Sequence, residues 1–173
     1  YRSEFQDKRR NLKTVQESVK RLIEKGSYEA KKRELKFFSP FVKKEMKCLE
    51  IGAGWGTLAR LIEDSFGCIV NAIEPSNLAA EVAQKYYNLK VFNGSIDDFY
   101  SNQLNQGGEK FDFIFIYHVF EHLLAPGEFL SQVKNLLKKD AVLLLAMPDI
   151  TNPEDKSKRF FHCWLLTENV VPV

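Results

Sequence analysis

The chain has 173 residues, 45% of them hydrophobic, with 25 lysines and arginines against 23 acids. That length suits one domain with one core, the apolar fraction is ordinary for a globular protein, and apolar runs no longer than a strand exclude a membrane-spanning helix. The three cysteines, Cys48, Cys68 and Cys163, lack the C-x-x-C spacing of a metal or redox motif and read as small packing residues of a reducing compartment. With a charged N-terminus from Arg2 onward and no signal peptide, the expected location is cytoplasmic.

Residues 3–25 are predicted to form an amphipathic helix, because Phe5, Leu12, Val15, Val19, Leu22 and Ile23 recur at spacings near three and four. Gly26 ends it, Ser27 can cap a second helix to about Phe38, and Pro40 stands beyond. Residues 1–47 carry 15 lysines and arginines against 7 acids, and the remainder 10 against 16. A basic segment can meet anionic substrates such as nucleotide-sugars, acidic glycans or nucleic acid. Here the charges fall between the apolar positions and alternate in sign in places, as on a solvated helical surface. No aromatic residues interleave with them as a single-strand stacking platform requires, so a nucleic-acid partner is not expected. Tyr28, Phe37 and Phe38 read as packing residues. Residues 1–46 are thus expected to be a helical cap on a core of residues 47–173.

From Lys47 the pattern alternates. Strands are predicted near 47–51, 68–74, 90–93, 111–117 and 141–147, with helices near 56–65, 77–86 and 128–138. Such alternation implies a parallel sheet with helices on both faces, and the unbroken apolar runs Phe113–Tyr117 and Val142–Ala146 suit strands buried on both sides. Asn102 to Glu109 reads as a polar surface loop. Glu50 to Gly56, Glu-Ile-Gly-Ala-Gly-Trp-Gly, places three glycines at alternate positions straight after the first strand, where the backbone can turn sharply and approach a ligand. Glu74 closes the next strand, where an acid can take both hydroxyls of a ribose. Dinucleotide folds usually read G-x-G-x-x-G; here Thr57 holds the place of the last glycine. Glu50 would repel a pyrophosphate, but it suits a ligand bearing an amino group.

Four further segments follow in order: Val70 to Ser76 around Glu74, Phe92-Asn93-Gly94-Ser95-Ile96-Asp97, Phe111 to Leu123 with its Glu121-His122, and the apolar Ala141 to Pro148. With the glycine loop they resemble the motifs of the class I S-adenosylmethionine-dependent methyltransferases over roughly Lys47 to Pro148. The resemblance implies a Rossmann-like, doubly wound, mostly parallel α/β sheet in the order 3-2-1-4-5, with right-handed crossovers and a ligand crevice between strands 1 and 4. It implies S-adenosyl-L-methionine as cofactor, held by Glu50, Gly52, Gly54, Gly56, Glu74, Ser95, Ile96 and His118. The fourth-strand segment is similar to that of small-molecule and glycan enzymes, which favours such an acceptor. Two alternatives stay open: an NAD-dependent oxidoreductase, and a non-catalytic methyltransferase-like module within a larger protein.

An oxygen nucleophile usually needs a general base. The histidines are His118, His122 and His162, and His118 and His122 are the catalytic candidates. If the chain turns helical at His118, then His118, Glu121 and His122 share one face. Some class I enzymes that act on hydroxyls resemble this through an E-x-x-E-H run with a later histidine. This chain has His118 where that run has its first glutamate, which suits magnesium, an oxygen-seeking ion, poorly; no metal is assigned. The chain begins at Tyr1 rather than methionine, and Thr167-Glu168-Asn169 reads as a helix start. Relatives carry a further helix and two strands there, so the C-terminal strands are expected to be missing and the fifth strand to be an exposed edge open to association.

Overall fold

The apolar runs of the sequence become strands that meet on one sheet. The computed structural model describes residues 17, 32–105, 107–148 and 161–166. The helix predicted over residues 3–25 lies outside these except for Glu17, which is helical. Of the second helix, the described end is a 3-10 turn over Lys32–Glu34 and a short helix, α1 (Leu35–Phe38). There follow β1 (Lys47–Ile51), α2 (Thr57–Phe66), β2 (Ile69–Glu74), α3 (Asn77–Tyr87), β3 (Lys90–Asn93), α4 (Ile96–Asn105), β4 (Phe111–Tyr117), α5 (Pro126–Leu136), β5 (Leu137–Pro148) and β6 (Phe161–Leu166). The sheet order is β3-β2-β1-β4-β5-β6. The first five strands are parallel, in the expected order, and β6 runs antiparallel to β5.

Side chains alternate between the two faces of each strand. On one face Cys48, Val70, Phe113, Phe115 and Leu144 pack with Leu58 and Ile62 of α2 and Ala83 and Tyr87 of α3. Phe38 of α1 is wholly buried there, edge-on to Phe113 and Phe115 at 6.0 and 5.3 Å between centroids. On the other face Leu49, Ile51, Ile73, Ile114, Ile116 and Leu145 pack with Phe99 of α4 and Phe129, Val133 and Leu136 of α5. Cys48 and Cys68 are buried free thiols. Contact with Cys68, and then burial, pushes the Cys48 thiol far above its usual range, as suits a packing residue.

The structure corrects three expectations. First, α4 is a ten-residue helix where no helix was expected, and it takes up the first residues, Asn102 to Asn105, of the expected surface loop. Ser95 explains it: its Oγ accepts from the Asp98 N–H (3.1 Å), while Asp98 Oδ2 accepts from the Ser95 N–H (3.0 Å) and hydroxyl (2.6 Å), a reciprocal helix cap. Second, α5 starts at Pro126, whose ring is preset for a first helical position, and it gives way at Leu137, which is extended and pairs with Phe111. Third, β5 is not an edge, because β6 pairs along it from Leu143↔Leu166 to Pro148↔Phe161.

Charged groups tie the N-terminal ends of the strands together. Lys47 Nζ donates to Glu109 (2.7 Å), whose other oxygen accepts from the amide of buried Asn71 (3.0 Å). Asp112 accepts from the Lys47 N–H (2.9 Å) and from Lys138 Nζ (2.8 Å). Two clefts of about 240 and 250 Å³ open at this end, around Gln103 and Glu109. Neither is lined by a residue of the glycine loop or by Glu74.

Candidate functional site

The opposite edge, at the C-terminal ends of the strands, gathers the residues singled out by spacing. β1 has β2 on one side and β4 on the other, so the chain leaves the sheet in opposite directions about it and a crevice opens above. The loop after β1 turns at once. The Gly52 and Ala53 N–H groups both donate to the Ile73 carbonyl (2.8 and 3.1 Å), and Gly56 N–H closes the turn on Ala53 O (2.9 Å).

Gly52, Gly54 and Gly56 all have positive φ, at 80°, 55° and 79°. Their surroundings differ. A Cβ at Gly56 would stand 2.6 Å from Leu89 and 2.7 Å from Ala83, so that glycine lets α3 close on the loop; one at Gly54 would meet nothing within 4 Å. Gly54 is thus the position where the backbone faces open space, a cradle that a side chain would fill. Gly52 lies against Val119, whose Cγ2 would be 2.3 Å from an added Cβ; this contact joins the glycine loop to the loop after β4.

Glu74 is buried and is held by donors from the neighbouring loops and β3. Gly54 N–H bonds to its Oε2 (2.7 Å) and Ser76 N–H to its Oε1 (2.8 Å). Its carbonyl accepts from the Asn93 side chain (3.0 Å) and the Gly94 N–H (3.2 Å). A carboxylate offers about four acceptor sites, and here its plane is fixed beside the open space at Gly54. Glu50 is almost wholly buried too, opposite Ala72 and Phe115 in register. A carboxylate at that depth is costly to keep charged unless a cation or donors meet it. Ser95 and Ile96 stand at the end of β3, tied in through Gly94. The Ser95 hydroxyl serves the α4 cap, and Ile96 packs against the Phe92 and Phe99 side of the core. The roles of Asn93 and Val119 were not foreseen. Asn93 closes β3 directly opposite Glu74 in register, a signal that needs the strand pairing first.

The histidines after β4 are also at this edge. His118 has φ 59°, so it is left-handed rather than helical, and the turn that follows is 3-10 over Phe120–His122. Its N–H is held by Ala146 O (2.9 Å) and its ring stands edge-on to Tyr117 at 4.8 Å. Even so His118, Glu121 and His122 come together: His118 Nδ1 is 3.3 Å and His122 Nε2 4.0 Å from Glu121 Oε1. His162 lies on β6 opposite Met147, about 10 Å from the β4 backbone across two strand spacings; its side chain is outside the described residues. Among the described residues no group of three His, Cys, Asp or Glu side chains is arranged to hold a metal ion, and no helix is long and apolar enough to cross a membrane.

A parallel sheet in this order, with a glycine loop and an acid on neighbouring strand ends, defines the nucleotide-cofactor class of α/β proteins. Within it, the profile of a family described as a methyltransferase domain matches residues 7–172, and the chain belongs to that family. The chain is 31% identical over 105 residues to a ubiquinone biosynthesis O-methyltransferase of Actinobacillus pleuropneumoniae, a match covering 58% of this chain and 44% of the relative. The chain thus spans under half the length of such relatives. Among solved structures, a SAM-dependent methyltransferase from Archaeoglobus fulgidus superposes with a TM-score of 0.59 at 20% identity, over 77% of this chain and 58% of that one. The plantazolicin methyltransferase BpumL, in complex with a monoazolic desmethylPZN analog and SAH, gives 0.56 at 22% identity, over 66% and 44%. The fold is that of the class I methyltransferases, whose cofactor is S-adenosylmethionine, and the nicotinamide alternative falls away.

Proposed function

We propose that this chain transfers a methyl group from S-adenosylmethionine to a hydroxyl of a small molecule or sugar. The observation that carries this reading is the Glu74 carboxylate, locked by Gly54 N–H and Ser76 N–H beside the one loop glycine that faces open space. In it Glu74 accepts the ribose hydroxyls and Glu50 receives the amino group of the methionine part. Gly52, Gly54 and Gly56 give that part its approach, Ser95 and Ile96 border the adenine, and His118 closes the opposite side.

The cofactor supplies an electrophilic methyl on sulfur, displaced in line so that the carbon–sulfur electrons return to sulfur. Proximity supplies much of the rate of such a displacement. The protein's task is to hold the acceptor oxygen in line and to take its proton as the oxygen–methyl bond forms. His118 and His122 stand at the crevice for that proton, and a positioned base contributes typically about 10²–10⁴-fold. The similarity to relatives named O-methyltransferases supports a hydroxyl acceptor.

Calorimetry of the 173-residue chain with S-adenosylmethionine and S-adenosylhomocysteine tests the reading, followed by turnover with catechol and simple glycosides. Binding with methylation of a hydroxyl is expected. Binding without turnover on any acceptor would favour a non-catalytic module, and no binding would overturn the cofactor assignment.

A further inference from the structure

His118 and His122 are not equivalent in the structure, and Glu121 separates them. A carboxylate can only accept a hydrogen bond, so the 3.3 Å contact between His118 Nδ1 and Glu121 Oε1 requires the proton on Nδ1. That choice leaves the lone pair of neutral His118 on Nε2, the far side of the ring. The contact at His122 is with Nε2 and, at 4.0 Å, is beyond hydrogen-bond reach.

The surroundings of His118 fix it further. The residue is left-handed, an uncommon backbone state for a non-glycine, and such states persist where surrounding structure over-determines them. Among the groups that do so, Ala146 O holds the backbone, Tyr117 meets the ring edge-on, and Glu121 takes Nδ1. The next residue, Val119, packs on Gly52, so the backbone beside His118 is placed relative to the cofactor loop. His122 is the more exposed of the two, with 55% of its side chain accessible against 40% for His118. The Glu121 side chain is 24% accessible, which shields the carboxylate in part from water.

We infer that Glu121 is a positioning residue that fixes His118 as the Nδ1–H tautomer, so that His118 Nε2, and not His122, is the base for the acceptor hydroxyl. This rests on the hydroxyl-methylation reading above. As the acceptor oxygen bonds to the methyl carbon, its O–H bond breaks and the proton passes to Nε2. Glu121 then faces an imidazolium, which its charge stabilises, while it keeps its own proton count unchanged. A bond of 3.3 Å is long for this role, but catalytic hydrogen bonds often tighten only when the site is filled.

Long-range proton–nitrogen NMR of the histidine rings in the full chain tests the tautomer without an acceptor. Above the titration range His118 is expected to be mainly Nδ1–H. The ratio of Nδ1–H to Nε2–H is expected to fall about tenfold or more in Glu121→Ala and by less in Glu121→Gln, which keeps an acceptor oxygen. In turnover with catechol as probe, kcat is expected to fall in the order Glu, Gln, Ala, by about 10- to 100-fold at Ala. KM for S-adenosylmethionine should stay within twofold, and the loss at His118→Ala should exceed that at His122→Ala. A His118 ring that is mainly Nε2–H, or whose ratio ignores Glu121→Ala, overturns the inference. So does an equal kcat in all three Glu121 forms, or a larger loss at His122→Ala. If the unsubstituted chain methylates no hydroxyl, the functional reading fails instead, and the tautomer ratio still decides whether Glu121 sets His118.

Discussion

Gly54 and Gly56 share a left-handed backbone but differ in what stands beside them, and that difference separates stability from binding. At Gly56 an alanine meets both a left-handed penalty of about 1–2 kcal/mol and overpacking of about 1–3 kcal/mol against Leu89 and Ala83. Gly56→Ala should therefore lower the melting temperature by on the order of 5–15 °C. Gly54→Ala meets open space and carries the first penalty alone, so it should melt only about 2–8 °C below the parent, less than Gly56→Ala, while losing affinity for S-adenosylhomocysteine in calorimetry. Equal melting temperatures for the two variants would contradict this. At Glu74 a charge-assisted hydrogen bond is worth about 1.5–3 kcal/mol, so Glu74→Ala should weaken cofactor binding at least about tenfold. Glu74→Gln keeps one oxygen for Gly54 N–H or Ser76 N–H, and it separates lost binding from a loosened loop. The places of these residues were legible in the sequence because they follow from local spacing. Asn93 and Val119 were not, because their partners lie across the sheet.

At the scale of elements, the first four parallel strands were readable within a residue, since each is a short apolar run between turn residues; β5 begins four residues before its expected start, where Leu137 already pairs with Phe111. The error at α4 has a local cause. Ser95 to Asp98 is a helix-cap pattern, but α4 carries few apolar residues and buries only Phe99, so its helical period is weak in the sequence. The charged ties at the other end of the strands were not readable, because Lys47, Glu109, Asp112 and Lys138 meet only once the strands are in register. They carry a pH dependence. The Lys47 hydrogen bond holds the Glu109 carboxyl below its usual range against the pull of burial. At Asp112 burial pulls upward most strongly, but Lys138 and the Lys47 N–H together outweigh it and the carboxyl is also held low. A folded pKa below the unfolded value of about 4 stabilises above that pH and is lost as pH falls through the folded value. Thermal melts should therefore drop steeply below about pH 4. The pair Glu109→Gln and Asp112→Asn, combined because both groups touch Lys47, should melt lower at pH 6 and show a shallower acid fall. Parallel curves for parent and variant would argue that these ties are not the source.

For the whole molecule the informative strand is β6. Its run Phe161 to Leu166, apolar but for His162, is strand-length, but it lies outside the motifs that carry the family resemblance. The structure lays it antiparallel along β5, in register from Leu143↔Leu166 to Pro148↔Phe161. β5 is apolar on both faces, with Leu143, Leu144 and Leu145 all buried. An uncovered strand of that kind offers a row of backbone donors and acceptors to another chain, so β6 should act against self-association as well as adding to the sheet. Proline removes a ladder donor and is confined to sheet edges or bulges. Along β6 successive N–H groups point alternately toward β5 and away, so of Trp164→Pro and Leu165→Pro one breaks a bond to β5 and the other does not. Sedimentation velocity over a concentration series should show larger species for one of the two variants than for the parent, with the other close to the parent. Indistinguishable profiles for all three would mean that β6 does not guard the edge of β5.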